Sequence, residues 1–258
     1  MNVRTLGRFT PDELGVLAGL LTLAGWPFPL QVRSSAKTED NLRRTELDGH
    51  QRLTAGGVVR AGRVEPDLEG ALRTLTRPTV WVDVSGFAGP DPADAVRLLA
   101  AHSGGPGVLA RQRPGPAEHV GGDVVIAVLP RAALPGAVAG ALFEALPSRP
   151  AGRVGPISVA RADLVRQEGG SVTRSVSRSP VELAREQLGA LARGPFATGG
   201  QLAVSRTGPG GAENRRCTLR WFDVDGDGRY LLDSSRGIDL TPGDEDTLTR
   251  ALTAQLTG

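Results

Sequence analysis

Cysteine, lysine and tyrosine are almost missing from this chain: each occurs once in 258 residues, as Cys217, Lys37 and Tyr230. A lone cysteine excludes an internal disulfide, and its place on the apolar face of a predicted strand makes it a small core residue rather than a nucleophile. Aromatic residues are only 4% of the chain, so the core must be filled mainly by Leu, Val and Ala. The 35 Gly and 19 Pro call for many loops. Neither sign of charge dominates, since 30 basic residues face 28 acidic ones for a net +2. Basic runs go no further than the pairs Arg43-Arg44 and Arg215-Arg216, which offers nucleic acid no continuous electrostatic footprint. Long hydrophobic runs are missing as well. LGVLAGLLTLAGW, Leu14 to Trp26, follows Asp12 and Glu13 rather than a basic region and is too short to span a bilayer. It reads as neither a membrane span nor a signal peptide, and the expectation is a cytoplasmic protein.

Signatures of catalysis are absent too. His50, His102 and His119 stand in three separate segments without companions at metal-ligand spacing. There is no GxSxG elbow, HExxH pair or Walker loop, and no GxGxxG between a strand and a helix. The Gly-rich stretches GFAGPDP and SGGPG carry proline where a phosphate cradle needs backbone N–H groups. These residues converge on no active site, and neither enzymatic activity nor a cofactor is expected.

What is present is concentrated near the C-terminal end, in WFDVDGDGRYLLDS, Trp221 to Ser234. Asp223, Asp225 and Asp227 alternate as the first ligands of a calcium loop do, with a glycine after the third. The twelfth position, where a bidentate Glu closes such a loop, is Ser234. The flanks have strand period: in CTLRWF, Cys217, Leu219 and Trp221 fall on one face and Thr218, Arg220 and Phe222 on the other. The pattern therefore reads as a β-hairpin turned by Asp and Gly. A calcium-binding module using Asp223, Asp225 and Asp227, with Asp233 as a further oxygen donor, stays open as the alternative.

Along the rest of the chain, Thr10-Pro11-Asp12-Glu13 is a capping box that predicts a helix from Pro11 to about Ala24. FPLQV, Phe28 to Val32, reads as a short edge strand. Thr38 or Asn41 caps a second helix ending at Gly56-Gly57, and GRVEPDLEGALRTLTRP supplies a third. TVWVDV and VVIAVL are strands, ADAVRLLAAHS fits a helix or a strand, and GVLARQ reads as a returning strand. Leu134, Val138, Ala141, Leu142 and Ala145 mark the next helix. A second capping box, Ser179-Pro180-Val181-Glu182, opens a helix with the stripe Val181, Ala184, Leu188 and Leu191. QLAVS, the CTLRWF/RYLLD hairpin, IDL and a final helix capped at Thr241-Pro242 complete the chain. The order helix, helix, meander, helix thus occurs twice. It predicts one α+β domain over 1–258, with halves of about 38–147 and 157–257 sharing an antiparallel sheet. PSRPAGRVGP is a Pro/Gly connector between them, and the Ser-rich QEGGSVTRSVSRS further on reads as mobile.

Several stretches, taken in order, resemble the EspG family of ESX (type VII) secretion-associated proteins. They are FTPDEL, AGGVVRAGRVEPDLEGALRTLTRP, VLARQ, VLPRAALPGAVAGALFEALP, RGPFATGGQLAV, LRWFDVDGDGRYLL and IDLTPGDEDTLTRALTAQL. The family's C-terminal signature maps onto Trp221, Asp223, Gly228, Arg229 and Tyr230. The resemblance implies a central antiparallel sheet flanked by two helical bundles with quasi-two-fold symmetry. It further implies a cytosolic chaperone without enzymatic activity or cofactor. Its partner would be a PPE-type protein of a PE-PPE heterodimer, bound by the apolar helical tip. A non-catalytic interaction domain with another client is the remaining alternative, and a monomer or a weak dimer fits equally.

Trp221 and Tyr230 are expected to be architectural, and Arg229 to lock the turn by pairing with Asp223 or a neighbouring carboxylate. For the partner, a loop from Ser85 to Pro92 sets Phe87 among Gly, Ala and Pro, where local packing does little to justify a large apolar residue. Phe87 and the adjacent Val84, with Leu183 off the main stripe of its helix, are the candidate partner-binding residues.

Overall fold

The computed structural model describes residues 3–34, 36, 38–115, 120–165 and 179–257. The chain opens with β1 (Arg4–Phe9) and α1 (Pro11–Leu21), then α2 (Glu39–Ala55), a ribbon of β2 (Val59–Arg60) and β3 (Arg63–Val64), and α3 (Pro66–Thr76). Next come β4 (Val80–Phe87), β5 (Ala95–His102), β6 (Gly107–Pro114), β7 (Gly121–Leu129) and α4 (Leu134–Ala145). β8 (Ile157–Ala160), α5 (Arg161–Val165) and α6 (Pro180–Ala192) follow. The chain closes with β9 (Phe196–Thr207), β10 (Glu213–Val224), β11 (Gly228–Asp233), β12 (Gly237–Pro242) and α7 (Glu245–Thr257).

Ten strands form one antiparallel sheet in the order β1-β7-β6-β5-β4-β9-β10-β11-β12-β8. The order is a palindrome about the β4–β9 pair: each side is a four-strand meander ended by the strand that opens its half. α3 and α6 precede the two meanders and α4 and α7 follow them, and β1 and β8 occupy matching edges. This is the α+β architecture of two helical groups on a central sheet.

Side-chain alternation divides the sheet into two faces. Val82, Val84, Leu98, Leu202, Val204, Leu219 and Trp221 pack on one face with Val138 and Leu142 of α4 and Leu248 and Leu252 of α7. On the other face, Leu99, Ala101, Ala110 and Ile126 meet Leu14, Leu17, Leu72 and Leu75 of α1 and α3. At the far end of that second face, Ile157, Val159 and Leu240 meet Leu191 of α6.

Trp221 shows how closely the first face is built. Its register partner on β9 is Gly200, and Gly200 in turn faces Gly86 of β4. A Cβ at Gly200 would lie 2.1 Å from the indole and one at Gly86 2.6 Å. The ring therefore extends over two backbones that carry no side chain, and it is 1% exposed.

The caps are formed as their residue types require. Thr10 and Ser179 each accept from the amide three residues on, while Glu13 and Glu182 reach back to the cap amides. Thr38 caps α2 by accepting from the Asn41 amide. Elsewhere the expectations are corrected. The first helix stops at Leu21, and its C-cap is Thr22 with φ 51°. Phe28 to Val32 is not a strand: Pro27 and Pro29 lack donors, and the Gln112 amide pairs with both backbone groups of Gln31, at 2.7 and 2.9 Å, in place of a neighbouring strand. ADAVRLLAAHS resolves as β5, since Val96 to His102 are all buried between helices on both faces and such a strand shows no alternation. Thr241-Pro242 ends β12 rather than capping α7; Asp244 does that, its Oδ1 accepting from the Thr247 amide at 2.6 Å. β1 had no forecast. Residues 167–178 of the Ser-rich stretch lie outside the described residues, as does His119.

Candidate functional site

The aspartate-rich turn is a set of ion pairs and hydrogen bonds. Arg229 and Asp223 are direct cross-strand partners of β11 and β10. Arg229 Nε and Nη2 donate to the two Asp223 oxygens at 2.7 and 2.8 Å, a bidentate pair with both residues buried. Nη2 also donates to the Pro147 carbonyl at 3.0 Å, and the guanidinium stands 4.8 Å from the centre of the Phe143 ring on α4. Arg229 thus ties the hairpin to the end of α4, a longer reach than a turn lock requires.

The other two aspartates hold the connector after α4. Asp225 pairs with Arg149 at 3.0 Å. Asp227 accepts from the Arg153 amide at 2.9 Å and from the Tyr230 hydroxyl at 2.7 Å, and that hydroxyl accepts from the Val154 amide at 3.0 Å. Burial by itself would raise the Asp227 carboxyl, but the bonds from Tyr230 and Arg153 outweigh it and hold the group below the usual carboxylate range. Gly226 makes the turn possible, with φ +73°, a conformation that costs glycine little. The three carboxylates are therefore taken up by arginine and tyrosine partners, and among the described residues no group of three His, Cys, Asp or Glu side chains could hold a metal ion. The calcium alternative has lost its ligand set to arginine and tyrosine. Tyr230→Phe is expected to cost about 1–2 kcal/mol through the two bonds of the hydroxyl, read by chemical denaturation; an unchanged midpoint would remove the connector from the fold's support.

The apolar surface lies elsewhere. Val82 and Val84 point into the α4/α7 core, so Trp81, Asp83, Ser85 and Phe87 of β4 face the opposite side. Val84 is 0% exposed and is corrected from a partner-binding residue to a core residue, its side chain falling on the inner face of the pleat. Phe87 is not in a loop. It is the last residue of β4, paired with Ala95 and Gly199, and Gly86 continues the strand because Gly200 lets the chains meet. Leu183 is 46% exposed near the start of α6 but lies outside the cavity lining described next.

Three adjoining cavities cross the second face between the helical groups. One of about 730 Å³ is lined by Phe28, Trp81, Asp83, Glu213 and Arg215. One of about 760 Å³ is lined by Phe28, Leu30, Ser85 and Phe87. The last, of about 450 Å³, is lined by Phe87, Leu188, Leu191, Phe196, Phe222 and Leu232. Phe28 belongs to the first two and Phe87 to the last two, which makes one trough with a charged end and an apolar end. At the apolar end Phe87, Gly199, Phe222 and Tyr230 are successive register partners across four strands. Phe222 stacks on Tyr230 at 5.7 Å and meets Phe196 edge-on at 5.3 Å. Gly199 has no side chain, and the Phe87 ring lies over it, 3.4 Å from where its Cβ would stand. Phe28 is 58% exposed, Phe196 48% and Phe87 45%, a concentration of uncovered rings that marks an interaction surface. Phe196 and Phe222 were missed in the sequence because they meet Phe87 only through cross-strand register.

The fold and trough define an α+β scaffold that offers a concave apolar surface between two helical groups. The chain belongs to the EspG family, whose profile matches residues 10–254. The Mycobacterium tuberculosis type VII secretion system chaperone EspG5, solved in complex with a PE25-PPE41 dimer, shares the fold. Its TM-score is 0.70 at 14% identity, over 97% of this chain and 95% of that one. Comparison with curated protein sequences finds no match.

Proposed function

We propose that this protein is a cytosolic type VII secretion chaperone. It takes the apolar helical tip of a PPE-type protein, held as a PE-PPE pair, into the trough, keeps that pair soluble and directs it to its secretion system. The observation that carries this reading is the row of uncovered rings at Phe28, Phe87 and Phe196 along the trough. A helical tip presents apolar side chains at spacings that such a groove can take. Family membership and the complex formed by EspG5 support the choice of partner. In this reading the protein has no enzymatic activity. Among the described residues, no helix is long and apolar enough to cross a membrane.

Co-expression with the PE-PPE pair encoded nearest to this chain, followed by size exclusion, tests the reading. Wild type should elute as a complex. Phe87→Asp should weaken it roughly thirtyfold, the effect of losing a central aromatic anchor, while the melting temperature stays within a degree or two because the ring is already half-exposed. A variant that binds as tightly as wild type removes Phe87 from the docking surface.

A further inference from the structure

One carboxylate in the trough leaves an oxygen unsatisfied. Asp83 lies in the middle of β4 on the trough face, 3% exposed, and its Oδ2 is buried without a hydrogen bond among the described residues. Its cross-strand neighbours on that face are Leu99 and Ala203, with Thr218 beyond Ala203. A carboxylate so placed weighs on the isolated protein, since nothing among the described residues replaces the water its Oδ2 has lost. The other buried carboxylate of the central strands, Asp223, is matched on both oxygens by Arg229. The charges nearest Asp83 are already taken up with each other: Arg215 pairs with Glu213 at 3.3 Å, both half-exposed, and Glu213 also accepts from Ser205. Together with Arg77, these groups and Asp83 line the charged end of the trough.

We propose that Asp83 is a specificity-determining residue of the trough, one that receives a cationic side chain, guanidinium or ammonium, from the tip of the docked protein. The inference rests on the docking reading above and adds a requirement to it. The bound tip must carry a basic residue as well as apolar ones. Asp83 and Phe87 are four residues apart on one strand, about 13 Å at the usual rise. On a helical tip the basic residue then stands two to three turns, at ~5.4 Å each, from the side chain that meets Phe87. A neutral donor would satisfy the oxygen but leave the charge buried, whereas a cation offsets both losses.

The proton gives an independent readout. Burial raises the Asp83 carboxyl to about 6, with Arg215 and a bond from its own backbone amide lowering it and Glu213 raising it by lesser amounts. A carboxyl raised in the folded state takes up its proton more readily there than in the unfolded chain. The fold therefore gains stability as pH falls through 6 toward the unfolded value, and loses it as pH rises through 6. Binding runs the other way, because a docked cation needs the ionised carboxylate.

The test is calorimetric titration of the full chain with the PE-PPE pair encoded nearest to it, at pH 7.5 and pH 5.5. Asp83→Asn should lose roughly thirtyfold or more in affinity at pH 7.5, with a melting temperature equal to or above wild type. Wild-type affinity should fall at pH 5.5 while that of the Asn variant stays level. One Lys or Arg of the PPE tip, changed to Gln, should weaken binding to wild type and have no further effect on Asp83→Asn. If Phe87→Asp loses the complex but Asp83→Asn binds as wild type does, the inference falls and the docking reading stands. A marked drop in the melting temperature of Asp83→Asn would show an internal partner and also overturn it. If wild type binds no such pair, both fall together.

Discussion

Replacing Arg229 by leucine is expected to destabilise the protein by about 3–5 kcal/mol, the cost of stranding one member of a buried ion pair. Asp223 would keep its charge at 0% exposure with both oxygens deprived of the guanidinium. Among the described residues the relief in reach is Arg149, 3.9 Å from Asp223 Oδ2; that is too long for a good bond, and it is already committed to Asp225. The Pro147 carbonyl and the Phe143 ring would lose their contacts as well, so the loosening should spread to the end of α4. Removing both charges, as Arg229→Leu with Asp223→Leu, should recover a large part of the loss because no unpaired charge remains. Urea denaturation reads both variants. A single variant within 1 kcal/mol of wild type would mean that the pair does not hold the hairpin to the helices.

Trp221→Ala carries a similar expected loss, about 3–5 kcal/mol, for a different reason. The indole spans Gly200 and Gly86 and meets the α4/α7 core. Since those two positions have no side chains, nothing nearby can collapse into the space. For a chain of this size each kcal/mol lowers the melting temperature by roughly 2–4 °C. Trp221→Phe should lose much less, because it keeps most of the packing and removes an indole N–H that has no acceptor among the described residues. Gly200→Val gives the complementary result: its Cβ would fall 2.1 Å from the ring, so it should destabilise without removing any contact. A Trp221→Ala variant that melts with wild type would place the ring outside the core.

Local features were legible in the sequence where one residue type has one use. Thr10 with Glu13 and Ser179 with Glu182 announce helix starts because few other residues satisfy those amides. Alternation in CTLRWF revealed a strand because one of its faces is covered and the other open. β5 was ambiguous for the opposite reason, being covered on both faces with no period to read. Phe28 to Val32 misled because an edge strand and a backbone held by a distant glutamine look alike in sequence. The docking surface was the least legible part. Phe87 stood out as a large apolar residue among small ones, but its partners Phe196 and Phe222 come from strands more than a hundred residues away. Their meeting depends on Gly199 occupying one register position. Asp83 gave no signal, since TVWVDV reads as an ordinary half-buried strand until β5 and β9 close around it.

The central claim is that the trough between the two helical groups receives the partner. Amide hydrogen exchange, compared for the protein alone and in complex with its neighbouring PE-PPE pair, tests it most directly. The account predicts slower exchange in the complex at Ser85 to Asp91, across Phe196 to Gly200 and along the Leu188 to Ala192 end of α6, with the outer surfaces of α4 and α7 unchanged. Protection confined to α4 and α7, with the trough exchanging as it does in the isolated protein, would contradict it.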